Sequence, residues 1–207
     1  MSRFGVQSVM TDMDREFELD LVRRMRAGDA AAFDAIHAEF NGRLFSFLAR
    51  LSRRRETAED LLDETWLRFV DHADRLKPDT RLGPFLFTVA RNLYLSYCRS
   101  RLLEDSQTAD AIGLWPLGTQ PPSPFESTVA NETGRRIEAA LASLPAAHRE
   151  ALLLVAVEGM KPAEAAAVCG ITPEAMRQRL SRARAAIASH LDECDDTILV
   201  HLKAVTT

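Results

Sequence analysis

The sequence has little of what cofactor, disulfide or membrane chemistry requires. Cysteine occurs three times, as Cys98, Cys169 and Cys194, without a C-x-x-C pair, and the five histidines are scattered. Neither a disulfide framework nor a metal site with recognisable ligand spacing is therefore expected. No apolar run approaches the roughly 18 residues that a membrane-crossing helix needs, so membrane insertion is not expected. Met1 to Met13 lack a hydrophobic signal core and soon turn acidic, which argues against export and for a reducing cytoplasm. Phosphate-cradling glycine loops and nucleophile–base sets are also missing, so the chain does not read as an enzyme and no cofactor is implied. Positive charge is not in excess. With 26 Lys and Arg against 30 Asp and Glu, the net charge is −4. Affinity for nucleic acid, if present, must be local or supplied by a partner.

What is present is helical patterning in two blocks. At 207 residues and 46% hydrophobic content, the chain can bury one ordinary core or two small ones. Periodicity lapses between Glu104 and Thr128, where Gly118-Thr-Gln-Pro-Pro-Ser-Pro124 cannot continue a helix and reads as an extended linker. The expected fold class is all-α, two small helical domains joined by a flexible linker, the C-terminal one a helix-turn-helix. The expected boundaries are a disordered leader over 1–17, an N-terminal domain over 18–103, a linker over 104–131, a C-terminal domain over 132–191 and a tail over 192–207. The tail carries Asp192-Glu-Cys-Asp-Asp196 and the apolar Ile198-Leu-Val200, and reads as a frayed end or a regulatory extension.

Positive charge is concentrated near the C-terminus. Four arginines, Arg177, Arg179, Arg182 and Arg184, fall within eight residues of a helical pattern that starts at Thr172-Pro173-Glu174. Thr172 can cap that helix, Pro173 suits its first position and Glu174 suits the positive end of its dipole. Met176, Leu180, Ala183 and Ile187 recur at i, i+4, i+7 and i+11 and define one apolar face. Glu174, Gln178, Ser181 and Arg182 project the other way, flanked by Arg177 and Arg179. Pro162 to Val168 is rich in small residues, and Cys169-Gly170-Ile171 provides a tight turn between two helices that approach closely. A helix held by its apolar side and offering Arg and Gln outward suits base edges and phosphates. The bland alternative is a solvated surface helix.

The N-terminal block shows three helical patterns. One starts at Gly28-Asp29, with Asp29 as N-cap and Phe33, Ile36, Phe40, Leu44, Phe47 and Leu51 as a buried stripe interrupted near Asn41-Gly42. The second runs from Thr57 to Ala73 behind the capping-box-like Thr57-Ala-Glu-Asp60. Its expected buried side is Ala58, Leu61, Leu62, Thr65, Trp66, Phe69, Val70 and Ala73. The opposite side carries Asp60, Asp63, Glu64, Leu67 and Asp71, a leucine set among carboxylates, as on a ridge that docks a basic protein partner. Singly exposed leucines are also ordinary. The third helix is expected from Pro84 to about Leu103, with Leu86, Val89, Ala90, Leu93 and Tyr97 inward and Thr88, Arg91, Asn92, Leu95 and Arg99 outward. The preceding loop, Asp74 to Gly83, contributes Arg75, Lys77 and Arg81. Together with Arg91, Asn92 and Arg99 these residues can track a single strand and accept an unstacked base, though an ordinary amphipathic surface has the same pattern.

These segments resemble a known family. Gly28-Asp29-x-x-Ala32-Phe33, Ala58-Glu-Asp-Leu-Leu-Asp-Glu-Thr-Trp-Leu67 and Phe85-Leu-Phe-Thr-Val-Ala-Arg-Asn-Leu93 are similar to the sigma-2 domain of extracytoplasmic-function (ECF) sigma factors. Leu144-Pro145, Arg149-Glu150, Leu152-Leu-Leu154, Glu158-Gly-Met160, Glu164, Ala166, Gly170-Ile171 and Arg177-Gln-Arg-Leu-Ser-Arg-Ala-Arg184 resemble the sigma-4 domain. The resemblance implies that Asp60, Asp63, Glu64, Leu67 and Asp71 contact core RNA polymerase, whose β′ clamp and β subunits are the expected partners. It implies that Arg75, Lys77, Arg81, Arg91, Asn92 and Arg99 bind the minus-ten promoter element and help melt it. It further implies that Glu174, Arg177, Gln178, Arg179, Ser181 and Arg182 read the minus-thirty-five element, and that an anti-sigma factor is a candidate partner. Departures from the family pattern are Asp63 in place of Gln, Trp66 in place of Phe, Phe85 in place of Trp, Lys161-Pro162 in place of a Ser cap, and Glu174 in place of a small residue. The rival readings are a sigma-like decoy that only captures an anti-sigma factor and a stand-alone helix-turn-helix repressor. Retained base-reading side chains disfavour the first, and a polymerase-docking ridge without a dimerisation zipper disfavours the second.

Overall fold

The computed structural model describes residues 15–104 and 132–191; the expected linker and C-terminal tail lie outside the described residues, except for Glu104 at the end of a helix. Among the described residues the chain is all-α. The N-terminal half comprises α1 (Arg15–Arg26), α2 (Ala30–Ser52), α3 (Arg55–Asp71) and α4 (Leu82–Glu104), with a short 3-10 turn at Ala73–Arg75. The C-terminal half comprises α5 (Glu132–Ser143), α6 (Ala146–Leu152), a π-helical turn (Leu153–Val157), α7 (Pro162–Cys169) and α8 (Pro173–Leu191).

Local chemistry explains most boundaries. Asp29 caps α2 by accepting from the Ala31 N–H at 2.9 Å, and its other oxygen takes Arg24 Nε at 2.7 Å. Gly28, at φ +78°, makes the turn ahead of it. The expected interruption at Asn41-Gly42 does not occur, and α2 is continuous. A helical glycine costs only about 1 kcal/mol against alanine. That cost is offset by burial of Phe40, Leu44 and Phe47 around it, and Asn41 turns its amide oxygen to Trp66 Nε1 at 2.9 Å.

Further expectations need correction. The segment expected as a disordered leader to residue 17 already holds the first turn of α1, which starts at Arg15. The capping box at Thr57 is not formed: α3 starts at Arg55, and buried Thr57 donates to Tyr97 Oη at 3.4 Å instead. Val70, expected in the core, is 49% exposed, because it lies at the edge of the α3 stripe where none of the described helices covers it. On α4, Phe87, Tyr94 and Cys98 are buried beside the expected Leu86, Ala90 and Leu93, whereas Val89 and Tyr97 are only half-buried.

The N-terminal core is centred on Phe47 and Phe87, edge to face at 5.1 Å, and on Trp66 packed against Phe33 and Phe69. In the C-terminal half, Gly170 at φ +64° ends α7, with reverse bonds from the Ile171 N–H to Ala166 and from the Gly170 N–H to Ala167. The Thr172 hydroxyl then caps α8 at the Ala175 N–H, 3.2 Å away. The two halves pack together, α4 on α7 and α2 on α6, and the apolar core is continuous between them.

Candidate polymerase and promoter interfaces

On α3 the acidic ridge is outside, as its spacing predicts. Leu67 is 62% exposed, with Asp60, Asp63 and Asp71 exposed around it. Glu64 is partly covered, because it accepts from Arg68 Nε one turn on at 2.8 Å. The ridge is also wider than the sequence suggests. Val70 continues the apolar surface from Leu67 into a groove of about 460 Å³ lined by Met25, Phe33, Val70 and Ala73, with Asp29 and Asp74 at its polar edge. Apolar residues at i and i+3 with carboxylates on either side suit a partner that presents both an apolar anchor and basic groups.

The basic loop before α4 is held by α1, a helix with no apolar repeat strong enough to mark it in the sequence. Buried Glu18 on α1 accepts from the Leu82 N–H at 2.7 Å, satisfying a free donor at the start of α4, and also pairs with Arg15 at 2.5 Å and Arg81 at 3.4 Å. Arg15 in turn donates to the carbonyls of Asp79 at 2.7 Å and Thr80 at 3.3 Å. The signal lay in Arg15 and Glu18, one helical turn apart, but their partners sit more than sixty positions away. Arg75 and Lys77 of this stretch are exposed, as are Asn92 and Arg99 farther along α4. Arg81 and Arg91 are not free: Arg81 reaches Glu164 on α7 at 3.6 Å, and Arg91 Nε donates to Glu150 on α6 at 2.6 Å.

On α8 the two faces separate cleanly. Met176, Leu180, Ala183 and Ile187 are buried, while Glu174, Arg177, Gln178, Ser181 and Arg182 are exposed. Glu174 and Arg177 pair with each other across one turn. Arg179 is turned partly inward, 3.9 Å from Glu150. The C-terminal half is braced by Arg149, whose guanidinium donates to the carbonyls of Leu141, Ala142 and Leu144, each at 2.9 Å, closing the end of α5. His148 sits beside this surface. Burial, then the charges of Arg182 and Arg179, push its imidazole below the ordinary range.

Residues 36–102 match the family model for sigma-70 region 2, and residues 134–187 match that for sigma-70 region 4. The chain is 34% identical over 155 residues to the ECF RNA polymerase sigma factor EcfG of Rhodopseudomonas palustris (strain TIE-1), covering 74% of this chain and 82% of that one. The chain belongs to the ECF RNA polymerase sigma factors. The RNA polymerase sigma factor CarQ of Myxococcus xanthus is likewise 34% identical, over 161 residues, 78% of this chain and 90% of that one. A solved structure of the sigma factor RpoE with the anti-sigma factor NepR from Bartonella quintana superposes with a TM-score of 0.62 at 27% identity, covering 77% of this chain and 96% of that chain. The sigma-70 region 2 match spans most of α2, α3 and most of α4, and the region 4 match spans most of α5 to α8. Membership places this sigma factor among the proteins of transcription initiation. Among the described residues no helix is long and apolar enough to cross a membrane.

Proposed function

We propose that this ECF sigma factor divides its task among three surfaces. The α3 ridge, with Asp60, Asp63, Glu64, Leu67 and Asp71, engages the β′ clamp of core RNA polymerase in the cytoplasm, and the C-terminal domain is carried towards the β subunit. The loop bearing Arg75, Lys77 and Arg81, with Arg91, Asn92 and Arg99 of α4, takes the unstacked non-template strand of the minus-ten element. Strand opening needs no nucleotide hydrolysis, since unstacking costs a few kcal/mol per step and stacking and phosphate contacts offset it. Gln178, Ser181 and Arg182 of α8, with Arg177 and Arg179 beside them and Glu174 at the helix start, enter the major groove of the minus-thirty-five element. An anti-sigma factor is proposed as a further partner, in keeping with the NepR complex of RpoE. An acidic protein needs no strong DNA affinity of its own for this task, because attachment to polymerase raises the effective concentration of both promoter readers.

The observation that carries this reading is the exposure of Leu67 among carboxylates on one surface while Gln178 and Arg182 face outward on another. The test is in vitro transcription from fragments of the source genome with purified core polymerase. The expected result is start sites that appear only when this protein is added. A protein that captures an anti-sigma factor yet yields no transcript with any fragment is a decoy instead.

A further inference from the structure

The end of α2 meets the turn between α5 and α6 around a small cavity lined by Arg50, Arg53, Glu138, Leu141, Ala142 and Arg149. Three guanidinium groups share this cavity with one carboxylate, and two of the three are accounted for. Arg50 gives Nε and Nη2 to Oε1 of Glu138, at 3.0 and 2.7 Å, and Nη1 to the Ser46 hydroxyl. Arg149 gives Nε and Nη2 to the carbonyls of Leu141, Ala142 and Leu144, and Nη1 to the carbonyl of Arg50 at 3.3 Å. The partial negative charge at the ends of α5 and α2 thus offsets the charge of Arg149. Arg53 is the remainder. Among the described residues it has no ion pair, and its Nε is buried without an acceptor. A buried N–H of this kind is costly, and folded proteins seldom leave one unmet.

Position 53 is also a poor place for an arginine on folding grounds. It ends α2 at φ +57°, in the left-handed region that glycine enters without cost and a side chain does not. Burial, then the positive charge of Arg53, push the Arg149 guanidinium below its ordinary range. Backbone and electrostatics both favour a small neutral residue here, yet the sequence supplies a cation with an orphaned donor beside an enclosed space. We infer that this cavity binds one small inorganic anion of the chloride class, accepted by Arg53 with Arg149 behind it. At about 10 Å³ the cavity has room for a single particle of about the size of water, which excludes a tetrahedral phosphate or sulfate. The surplus of positive charge then selects the occupant: a water would satisfy the Nε but leave Arg53 and Arg149 in each other's field, whereas an anion does both. The stability of the folded chain therefore depends on which anion surrounds it, and not on ionic strength alone. Neither the α3 ridge nor the promoter-facing residues take part.

Urea unfolding of the full chain in sodium chloride and in sodium gluconate, at equal ionic strength, separates occupation of the site from general screening. Chloride should favour the folded wild type with a saturating one-site dependence, reaching about tenfold in the folding equilibrium constant at ten times the fitted Kd, while gluconate, too large to enter, should not. Arg53→Gln should lose the chloride gain. In gluconate it should be at least as stable as wild type, because it removes the repulsion on Arg149. A wild type indifferent to chloride, or a chloride gain that persists in Arg53→Gln, would overturn the site. Should Arg53→Gln not fold, wild-type crystals grown in sodium bromide decide the matter: an anomalous-scattering peak in the cavity is expected, and density there without anomalous signal, a water only, would overturn it.

Discussion

Arg91 of α4 donates through Nε to Oε1 of the fully buried Glu150 on α6, 2.6 Å away. The other oxygen of Glu150 lies 3.9 Å from Arg179 on α8, so one carboxylate links an arginine expected at the minus-ten element with one expected at the minus-thirty-five element. Breaking such a buried pair leaves its partner charge unsatisfied. Glu150→Ala is therefore expected to cost about 3 kcal/mol in urea unfolding. Glu59→Ala, which removes the exposed partner of Arg55 on α3, should cost under about 0.5 kcal/mol. Equal losses would mean that Glu150 contributes no more than a surface charge.

Val70 and Leu67 form one exposed apolar strip on α3. Val70→Asp should weaken capture of core polymerase by about tenfold, the scale of an interface anchor, and leave thermal unfolding almost unchanged because the side chain is half in solvent. Pull-down titration with purified core polymerase, alongside a melting curve, separates the two effects.

The opposed faces of α8 predict opposed phenotypes. Leu180→Ala empties a buried position and should destabilise the C-terminal half by about 3 kcal/mol. Arg182→Ala should change stability by under about 0.5 kcal/mol, while lowering promoter discrimination by about 1–3 kcal/mol, read as the ratio of initiation on a specific and a scrambled template.

Burial among apolar neighbours, with the field of Glu150 behind it, pushes the Cys169 thiol up to about 12 from an ordinary 9.0, and burial also raises Cys98. Both thiols should resist alkylation at pH 8 in the folded protein and react once it is unfolded, as peptide mass spectrometry would show. Since the folded state holds these protons more tightly, the stability they confer is complete below pH 9.0 and is lost as pH rises towards about 12. Urea midpoints that stay flat over that alkaline range would contradict it.

Much of this was legible from residue order alone, but not all of it for the same reason. The α8 stripe was readable because Met176, Leu180, Ala183 and Ile187 repeat at helical spacing and all four are buried. Leu67 stood out as an apolar residue out of phase with its own core stripe. Val70 is in phase with that stripe, and it lies outside because none of the described helices covers it, a tertiary fact. The first turn of α1 was hidden by its charge, since Arg15 and Glu18 serve partners at Asp79 and Leu82 rather than an apolar face. The spacing puts Arg91 on α4, but its carboxylate partner Glu150 lies 59 positions away in the other half, and no spacing rule connects the two.

The most direct measurement compares wild type, Asp63→Arg with Leu67→Ala, and Arg182→Ala in two parallel assays, capture of core polymerase and initiation from a promoter found with the wild type. A division of labour between surfaces predicts that the ridge variant loses both capture and initiation, whereas Arg182→Ala keeps capture and loses initiation. Capture that survives in the ridge variant, or disappears with Arg182→Ala, would contradict it.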